Sequence, residues 1–314
     1  MTIRTVAIVG TGLIGASWAA FFLANGFDVT AFDPAPEAES HLRGFVKRAW
    51  PALGRIGLAN GASIDRLTFH PALAEALAFA DFVQESGPER LEFKQELYRQ
   101  MDALLAPSVI IASSSSGLMM SDIQLGCDRF PERCVIAHPF NPPHVLPLVE
   151  IVGGGRTSMA TIDQAQSFFE GLGKKCIRLK REIRGHVANR IAWALYRECT
   201  WLVEQGYVDV GDVDRAVSWG PGLRWGGMGP NLLYHLGGGE GGIAHFFAHL
   251  GGSLEEIWAD NNVPMLTPAL RQRIADGVAQ EAGEASIEAL SAQRDEFMIS
   301  LIEQRKAMKG ILAR

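Results

Sequence analysis

The chain has 314 residues, and at roughly 150 residues per domain this length predicts about two domains. Hydrophobic residues make up 47% of the sequence and charged residues 20%, a composition that is typical of globular proteins and excludes the collagen-like, fibrous and disordered classes. Lys and Arg number 29 against 35 Asp and Glu, which gives a net charge of −6. We therefore expect neither nucleic acid nor a membrane surface among the partners.

The four cysteines lie far apart and form no CxxC pair. This spacing predicts no metal site and no dense disulfide framework, and it fits a protein of the reducing cytoplasm. Residues 6–24 are mostly apolar, as in a secretory signal, but glycines interrupt them and no cleavage site follows. Because no other stretch reaches the roughly 18 apolar residues of a membrane span, we predict a soluble chain.

Short runs rich in Val and Ile alternate with longer segments of helical period as far as about residue 179. This alternation predicts an α/β domain of the doubly wound Rossmann type, with a parallel sheet and crossover helices. The predicted strands are residues 5–9, 29–32, 82–84, 109–112, 135–137, 148–152 and 176–179. Ligands of such sheets bind beyond the carboxyl ends of the strands, so we look for chemistry there.

After residue 183 the strand signals end and long helical stretches follow. We predict one helix that ends at Gly206, then helices over 209–218, 253–258 and 267–284, and a final helix to about residue 305. The predicted domains are therefore residues 1–183, of Rossmann type, and residues 184–314, all-helical. The apolar stripe of the final helix packs either in the domain core or against a second copy, and we expect a homodimer through this domain.

The first predicted strand runs into a G-x-G-x-x-G turn, Gly10-Thr11-Gly12-Leu13-Ile14-Gly15, which opens a helix. In this context Gly10 permits the tight turn, Gly12 lets the backbone approach a pyrophosphate, and Gly15 lets helix and strand pack closely. The second strand ends at Asp33, whose carboxylate can accept hydrogen bonds from a ribose. Asp33 favours NAD over NADP because it would repel a 2′-phosphate, although Arg43 could still offset that charge.

Two further clusters lie at predicted strand ends: the serine run at residues 113–116, and His138, which closes one strand while Glu150 lies on the next. In this arrangement a carboxylate orients an imidazole and stabilises its protonated form. An imidazole held in this way can act as general base, taking a proton from a hydroxyl while hydride leaves the same carbon.

With these motifs in this order, the chain resembles the L-3-hydroxyacyl-CoA dehydrogenase superfamily over essentially its whole length. The resemblance rests on the glycine turn, residues 84–89 with Lys94, residues 113–116, 138–142 and 185–190. It implies a Rossmann domain followed by a helical dimerisation domain. It also implies that His138 is the base, that Glu150 is its partner, and that Ser116 and Asn189 donate hydrogen bonds to the reacting oxygen. The resemblance further implies that NAD is contacted by the glycine turn, including Leu13 and Ile14, and by Asp33 and Ser116. Glu89 and Lys94 would lie near the nicotinamide. The resemblance implies no metal.

The segment at residues 222–230 carries Arg224 where the thioester enzymes have a short apolar link. A free carboxylate needs a cationic partner when it leaves water, whereas a thioester does not, so the segment resembles the branch that acts on free 3-hydroxy acids. L-Carnitine, oxidised to 3-dehydrocarnitine, is the substrate expected first. Trp225 and Tyr234 are candidate contacts for its quaternary ammonium, which aromatic faces hold best; core packing is the alternative for these rings, and a surface position for the arginine.

Three other functions stay open. One is oxidation of L-gulonate, and a second is oxidation of a CoA thioester such as 3-hydroxybutyryl-CoA. In the second case the basic residues at 43, 47, 48 and 55 would meet the CoA phosphates. The third is a non-catalytic structural protein that holds NAD(H), as lens crystallins of the same branch suggest, and the complete set of predicted catalytic residues argues against it.

Overall fold

The computed structural model of the chain describes residues 3–260 and 263–308. The chain divides into two compact units, Met1–Arg190 and Ile191–Arg314. Our boundary after residue 183 stays a prediction, and the outer ends of the two predicted domains, residues 1–2 and 309–314, lie outside the described residues.

The first unit is an eight-stranded sheet with helices between successive strands, except between the sixth and the seventh. Its strands are β1 (Thr5–Val9), β2 (Asp28–Phe32), β3 (Leu67–His70), β4 (Phe82–Glu85), β5 (Ile110–Ser113), β6 (Cys134–Pro139), β7 (Leu148–Gly153) and β8 (Lys175–Arg178). Its helices are α1 (Leu13–Ala24), α2 (Ala38–Ile56), α3 (Leu73–Leu77), α4 (Leu91–Leu104), α5 (Met120–Ile123), α6 (Met159–Gly171) and the first residues of α7 (Ala188–Glu204).

The strands lie in the order β3-β2-β1-β4-β5-β6-β7-β8. The order reverses beside β1, and β1 to β6 pair in parallel. This is the arrangement of a doubly wound nucleotide-binding sheet, whose ligand site lies where the strand order reverses. The predicted Rossmann-type fold is thus confirmed.

The predicted parallel sheet holds for every strand pair but one: β6 and β7 pair antiparallel, which was not predicted. Residues 140–147 join these two strands directly, and a parallel crossover needs about a dozen residues or more. The prediction also missed β3, which is short and pairs with β2 at the edge of the sheet. Several predicted strands end one or two residues away from the observed ends.

Both faces of the sheet are buried at its central strands, as β1 illustrates. Val6 and Ile8 belong to one apolar core, and Ala7 and Val9 to the other. The first core includes side chains of α1, α2 and α6, and the second includes side chains of α3, α4 and α5. This two-sided burial explains why the strands read as unbroken apolar runs rather than as alternating patterns. Helix α1 is itself buried on every side after its first two residues.

The second unit is helical over its described residues. After the remainder of α7 it contains α8 (Val210–Trp219), α9 (Pro221–Gly227), α10 (Pro230–Gly237), α11 (Gly242–Ala259), α12 (Pro268–Ala282) and α13 (Ile287–Ala307). This confirms the helical second domain. Helices α9 and α10 were not predicted; each begins with a proline, which is favoured at the first helical position. The predicted helix over 253–258 is the end of the longer α11. None of the described helices is long and apolar enough to cross a membrane.

The glycine turn before α1 makes a prediction about stability. A Cβ added at Gly15 would lie 1.8 Å from the carbonyl oxygen of Gly10, whereas one added at Gly12 would meet nothing within 4 Å. We expect Gly15→Ala to lower the free energy of unfolding by about 1–3 kcal/mol, the usual cost of overpacking, and Gly12→Ala to leave it unchanged. Thermal unfolding of the two variants checks this, and equal midpoints would contradict the packing role of Gly15.

Candidate active site

His138 and Glu150 are direct cross-strand partners in the antiparallel pair of β6 and β7. Opposed residues in such a pair point to the same face of the sheet, and Nδ1 of His138 lies 2.8 Å from Oε2 of Glu150. Both side chains are buried, and the glutamate is 0% exposed. Because a carboxylate only accepts hydrogen bonds, Nδ1 carries the proton and Nε2 of the neutral ring is left as a base.

Nε2 of His138 lies 3.0 Å from Oγ of Ser116, in the turn that follows β5. Both residues line a cavity of about 230 Å³ whose wall also includes Asn189, the second residue of α7. Of the four predicted catalytic residues, three are therefore joined by hydrogen bonds and the fourth lines the same cavity.

The second oxygen of Glu150 is also occupied. Oε1 accepts hydrogen bonds from the backbone amides of Val187 and Ala188, at 2.8 and 3.1 Å. Burial raises the pKa of this carboxyl, but the hydrogen bonds from His138 and from the two amides outweigh it, and the net pKa is lowered. Glu150 is thus a carboxylate at neutral pH, which suits it to stabilise a protonated imidazole.

Glu89 anchors the serine turn. Its Oε1 accepts hydrogen bonds from Oγ of Ser115 at 2.7 Å and from the amides of Ser116 and Gly117 at 3.0 and 2.7 Å. Burial opposes the charged form of Glu89, but these hydrogen bonds and the charge of Lys94 lower its pKa. The immediate effect of Glu89 is to fix the position of Ser116.

Lys94 is buried, and its Nζ lies 2.6 Å from Oε1 of Glu85, against 3.9 Å from Oε2 of Glu89. Glu85 was expected among the polar residues at strand ends where chemistry would lie, but its ion pair with Lys94 was not predicted. That Lys94 and Glu89 lie near a nicotinamide stays a prediction.

The glycine turn and Asp33 lie at a larger cavity, of about 670 Å³, beside the point where the strand order reverses. Asp33 accepts hydrogen bonds from the amides of Thr11 and Ala35, at 2.7 and 2.9 Å. Gly12 lines the cavity and has open space where a side chain would stand. These residues fit a dinucleotide: the glycine leaves room for a pyrophosphate, and the carboxylate can still accept a ribose hydroxyl.

The lining of this cavity also bears on the choice of nucleotide. Among the described residues none that lines it is Lys or Arg. Arg43, which was left open as a partner for a 2′-phosphate, pairs instead with Glu39 at 2.8 Å. The two predicted NAD contacts that follow Gly12 lie in different surroundings. Leu13 is 59% exposed, whereas Ile14 lines the smaller cavity beside His138.

The three predicted substrate residues lie in the second unit. Arg224 and Trp225 are in α9, and the carbonyl of Gly226 beside them accepts a hydrogen bond from Arg305 at 2.8 Å. The ring of Tyr234, in α10, stacks on Phe246 with centroids 4.8 Å apart. Their role as substrate contacts stays a prediction.

His186 is the site residue whose role the sequence analysis missed, although its motif was noted. It is 3% exposed, and its ring centroid lies 4.9 Å from that of His138. A histidine two residues before the start of a helix was the available signal. The described residues contain no group of three or more His, Cys, Asp or Glu side chains that could hold a metal.

A doubly wound sheet with a glycine turn and an acidic residue after its second strand defines the class of NAD-dependent oxidoreductases. Residues 5–183 match the family model for the NAD binding domain of 3-hydroxyacyl-CoA dehydrogenase, and residues 185–278 match the model for its C-terminal domain. The chain belongs to the 3-hydroxyacyl-CoA dehydrogenase family, and its cofactor is NAD.

Two relatives match nearly the whole chain. L-carnitine dehydrogenase from Nocardiopsis dassonvillei is 48% identical, with 95% of this chain and 91% of that protein covered. L-carnitine dehydrogenase from Streptomyces coelicolor is 47% identical, with 96% and 94% covered. The solved structure of 5-formyl-3-hydroxy-2-methylpyridine 4-carboxylic acid 5-dehydrogenase, an NAD+-dependent dismutase, matches with a TM-score of 0.81 at 28% identity, with 96% and 97% covered.

The lowered pKa of Glu150 makes a prediction about acid stability. A carboxyl whose pKa is lower in the folded than in the unfolded chain stabilises the fold above the unfolded value, about 4.3 for glutamate, and this contribution is lost as the pH falls through the folded value. We therefore expect the free energy of unfolding of wild type, relative to Glu150→Gln, to fall between about pH 5 and pH 3. Denaturant unfolding at several pH values measures the difference.

The exposed Glu92 on α4 supplies the control. The difference between wild type and Glu92→Gln should change much less over the same pH range. A difference for Glu150→Gln that is just as flat would show that its carboxylate gains nothing from its three partners.

Proposed function

We propose that the chain oxidises a small free L-3-hydroxy acid with NAD, and that L-carnitine, converted to 3-dehydrocarnitine, is its substrate. The observation that carries the chemistry is the ring of His138, held between Glu150 and Ser116 in the wall of the smaller cavity. The two relatives named L-carnitine dehydrogenase support the choice of substrate, because their similarity extends over both halves of the chain.

In the proposed mechanism Nε2 of His138 takes the proton of the C3 hydroxyl, since Nδ1 already donates to Glu150. Glu150 stabilises the imidazolium that results. Ser116 and Asn189 hold the C3 oxygen while it carries developing negative charge, an effect worth about 3 kcal/mol for each preorganised donor. Bound NAD supplies the acceptor for the hydride that leaves C3.

We also propose that the protein works in the cytoplasm as a homodimer through its helical unit. On α7, Ile191, Trp193 and Tyr196 are each more than half exposed in the single chain. Trp193 and Tyr196 lie three residues apart and so face the same side of the helix, and large apolar side chains exposed on one face are typical of an interface between proteins. The four cysteines are free thiols, which suits a reducing compartment.

A substrate screen tests the proposal. Formation of NADH from NAD, or of NADPH from NADP, is followed by absorbance with L-carnitine, L-gulonate, L-3-hydroxybutyrate and the CoA ester of the last. We expect the highest kcat/KM with L-carnitine and NAD. A far higher kcat/KM with the CoA ester would overturn the free-acid assignment, and NADH binding without turnover of any hydroxy acid would favour a structural role.

Substitution of the base tests the mechanism. His138→Ala is expected to lower kcat by about 100-fold or more, as loss of a general base does, and Ser116→Ala by about 100-fold as loss of an oxyanion donor does. Binding of NADH, measured by fluorescence titration, should stay close to wild type for His138→Ala. If that variant retains wild-type kcat, the base has been misassigned.

Arg224 is tested as the partner of the substrate carboxylate. Arg224→Met should raise the KM for L-carnitine about 10- to 100-fold, as expected for a lost charge-assisted hydrogen bond, with a smaller change in kcat. Arg294→Met is the matched control, because that guanidinium pairs with the adjacent Asp295 at 2.8 Å on α13. Equal KM values for the two variants would remove Arg224 from the substrate site.

A further inference from the structure

We propose that His186 is a positioning residue for this reaction: its imidazole holds the turn at Ser115 and Ser116 in place, so that Ser116 stays within hydrogen-bond reach of His138. The inference rests on the proposed function, in which Ser116 serves the reacting oxygen. The contacts of His186 that support this role all lie within the first unit.

The first observation is the hydrogen bond of the buried ring. Nε2 of His186 lies 2.9 Å from the backbone carbonyl oxygen of Ser115. A carbonyl can only accept, so Nε2 carries the proton and donates. Nδ1 is buried and has no hydrogen-bond partner. A buried nitrogen left without a hydrogen bond carries a cost in stability, and the hydrogen bond that the ring does make is to the residue before Ser116.

The second observation is that the same short segment holds the other partner of the base. The amides of Val187 and Ala188 donate to Glu150, while the ring of His186 donates to the serine turn. His186 has a left-handed backbone, with φ of 48°, which is uncommon for a residue other than glycine. Residues 186–188 therefore hold Glu150 directly through backbone amides, and through the side chain of His186 they hold the residue next to Ser116.

The third observation concerns charge. Burial lowers the pKa of His186, the nearby His138 lowers it further, and the Ser115 carbonyl with the carboxylates of Glu150 and Glu89 acts in the opposite direction. His186 is thus neutral at neutral pH. A second cation 4.9 Å from His138 would oppose proton transfer to that base, because like charges disfavour each other's charged forms. A neutral ring can hold the turn without that repulsion.

The test compares two substitutions of nearly equal size. Gln can still donate from a terminal amide to the Ser115 carbonyl, whereas Met cannot, and both bear the same left-handed backbone. Misplacement of a reacting group by about 1 Å costs on the order of 100-fold, so we expect His186→Met to lower kcat about 10- to 100-fold. His186→Gln should restore at least about a third of wild-type kcat through the retained hydrogen bond. Thermal unfolding and NADH binding confirm that both variants are folded.

A double-mutant cycle separates positioning from general stabilisation. If His186 acts through Ser116, His186→Met should lower kcat by less than about threefold in the Ser116→Ala background, since coupled residues are not additive. Additive effects, or equal losses in the Gln and Met variants, would overturn the proposal.

The outcome for the proposed function stays separate from this test. If wild type does not oxidise L-carnitine, the proposed substrate is wrong, and the cycle is measured with whichever hydroxy acid wild type oxidises. If neither His186 variant folds, the ring has a structural role and the positioning role is rejected.

Discussion

The hydrogen bond between Nδ1 of His138 and the fully buried carboxylate of Glu150 is the interaction on which the candidate active site depends. It fixes the tautomer of the ring, and it provides a partner for a charge that would otherwise be costly inside the sheet. The antiparallel register of β6 and β7 places the two residues opposite each other. A slip of one residue would turn Glu150 to the other face of the sheet and leave the imidazole without its carboxylate.

Two carboxylates organise opposite sides of the base by the same physical means. Glu150 accepts hydrogen bonds from two backbone amides at the start of α7, and Glu89 accepts them from backbone amides in the turn after β5. Several N–H donors aimed at one oxygen stabilise its charge despite burial. Most of the hydrogen bonds that hold these two carboxylates therefore come from backbone amides, which do not depend on side-chain identity.

Much of the sheet and part of the site could be predicted from the sequence, because short local patterns indicate them. A glycine turn after an apolar strand indicates a nucleotide site, and a histidine and a glutamate on successive strands indicate a possible base and its partner, without knowledge of the distant residues that they contact. Features that depend on pairing at a distance could not be found in this way: the antiparallel β7, the edge strand β3, the Lys94–Glu85 ion pair and the contact of His186 with Ser115. Helices α9 and α10 were not predicted because, at 7 and 8 residues, they are too short to show a clear helical period.

Asp33 illustrates how one side chain can serve both architecture and recognition. Its two oxygens already accept amides from Thr11 in the glycine turn and from Ala35 after β2. A redesign of the cofactor preference would replace this acid with a neutral or basic residue. That change would also remove two hydrogen bonds within the loops that form the nucleotide crevice. A successful redesign toward the phosphorylated nucleotide has to supply new acceptors for those amides as well as a cation for the phosphate.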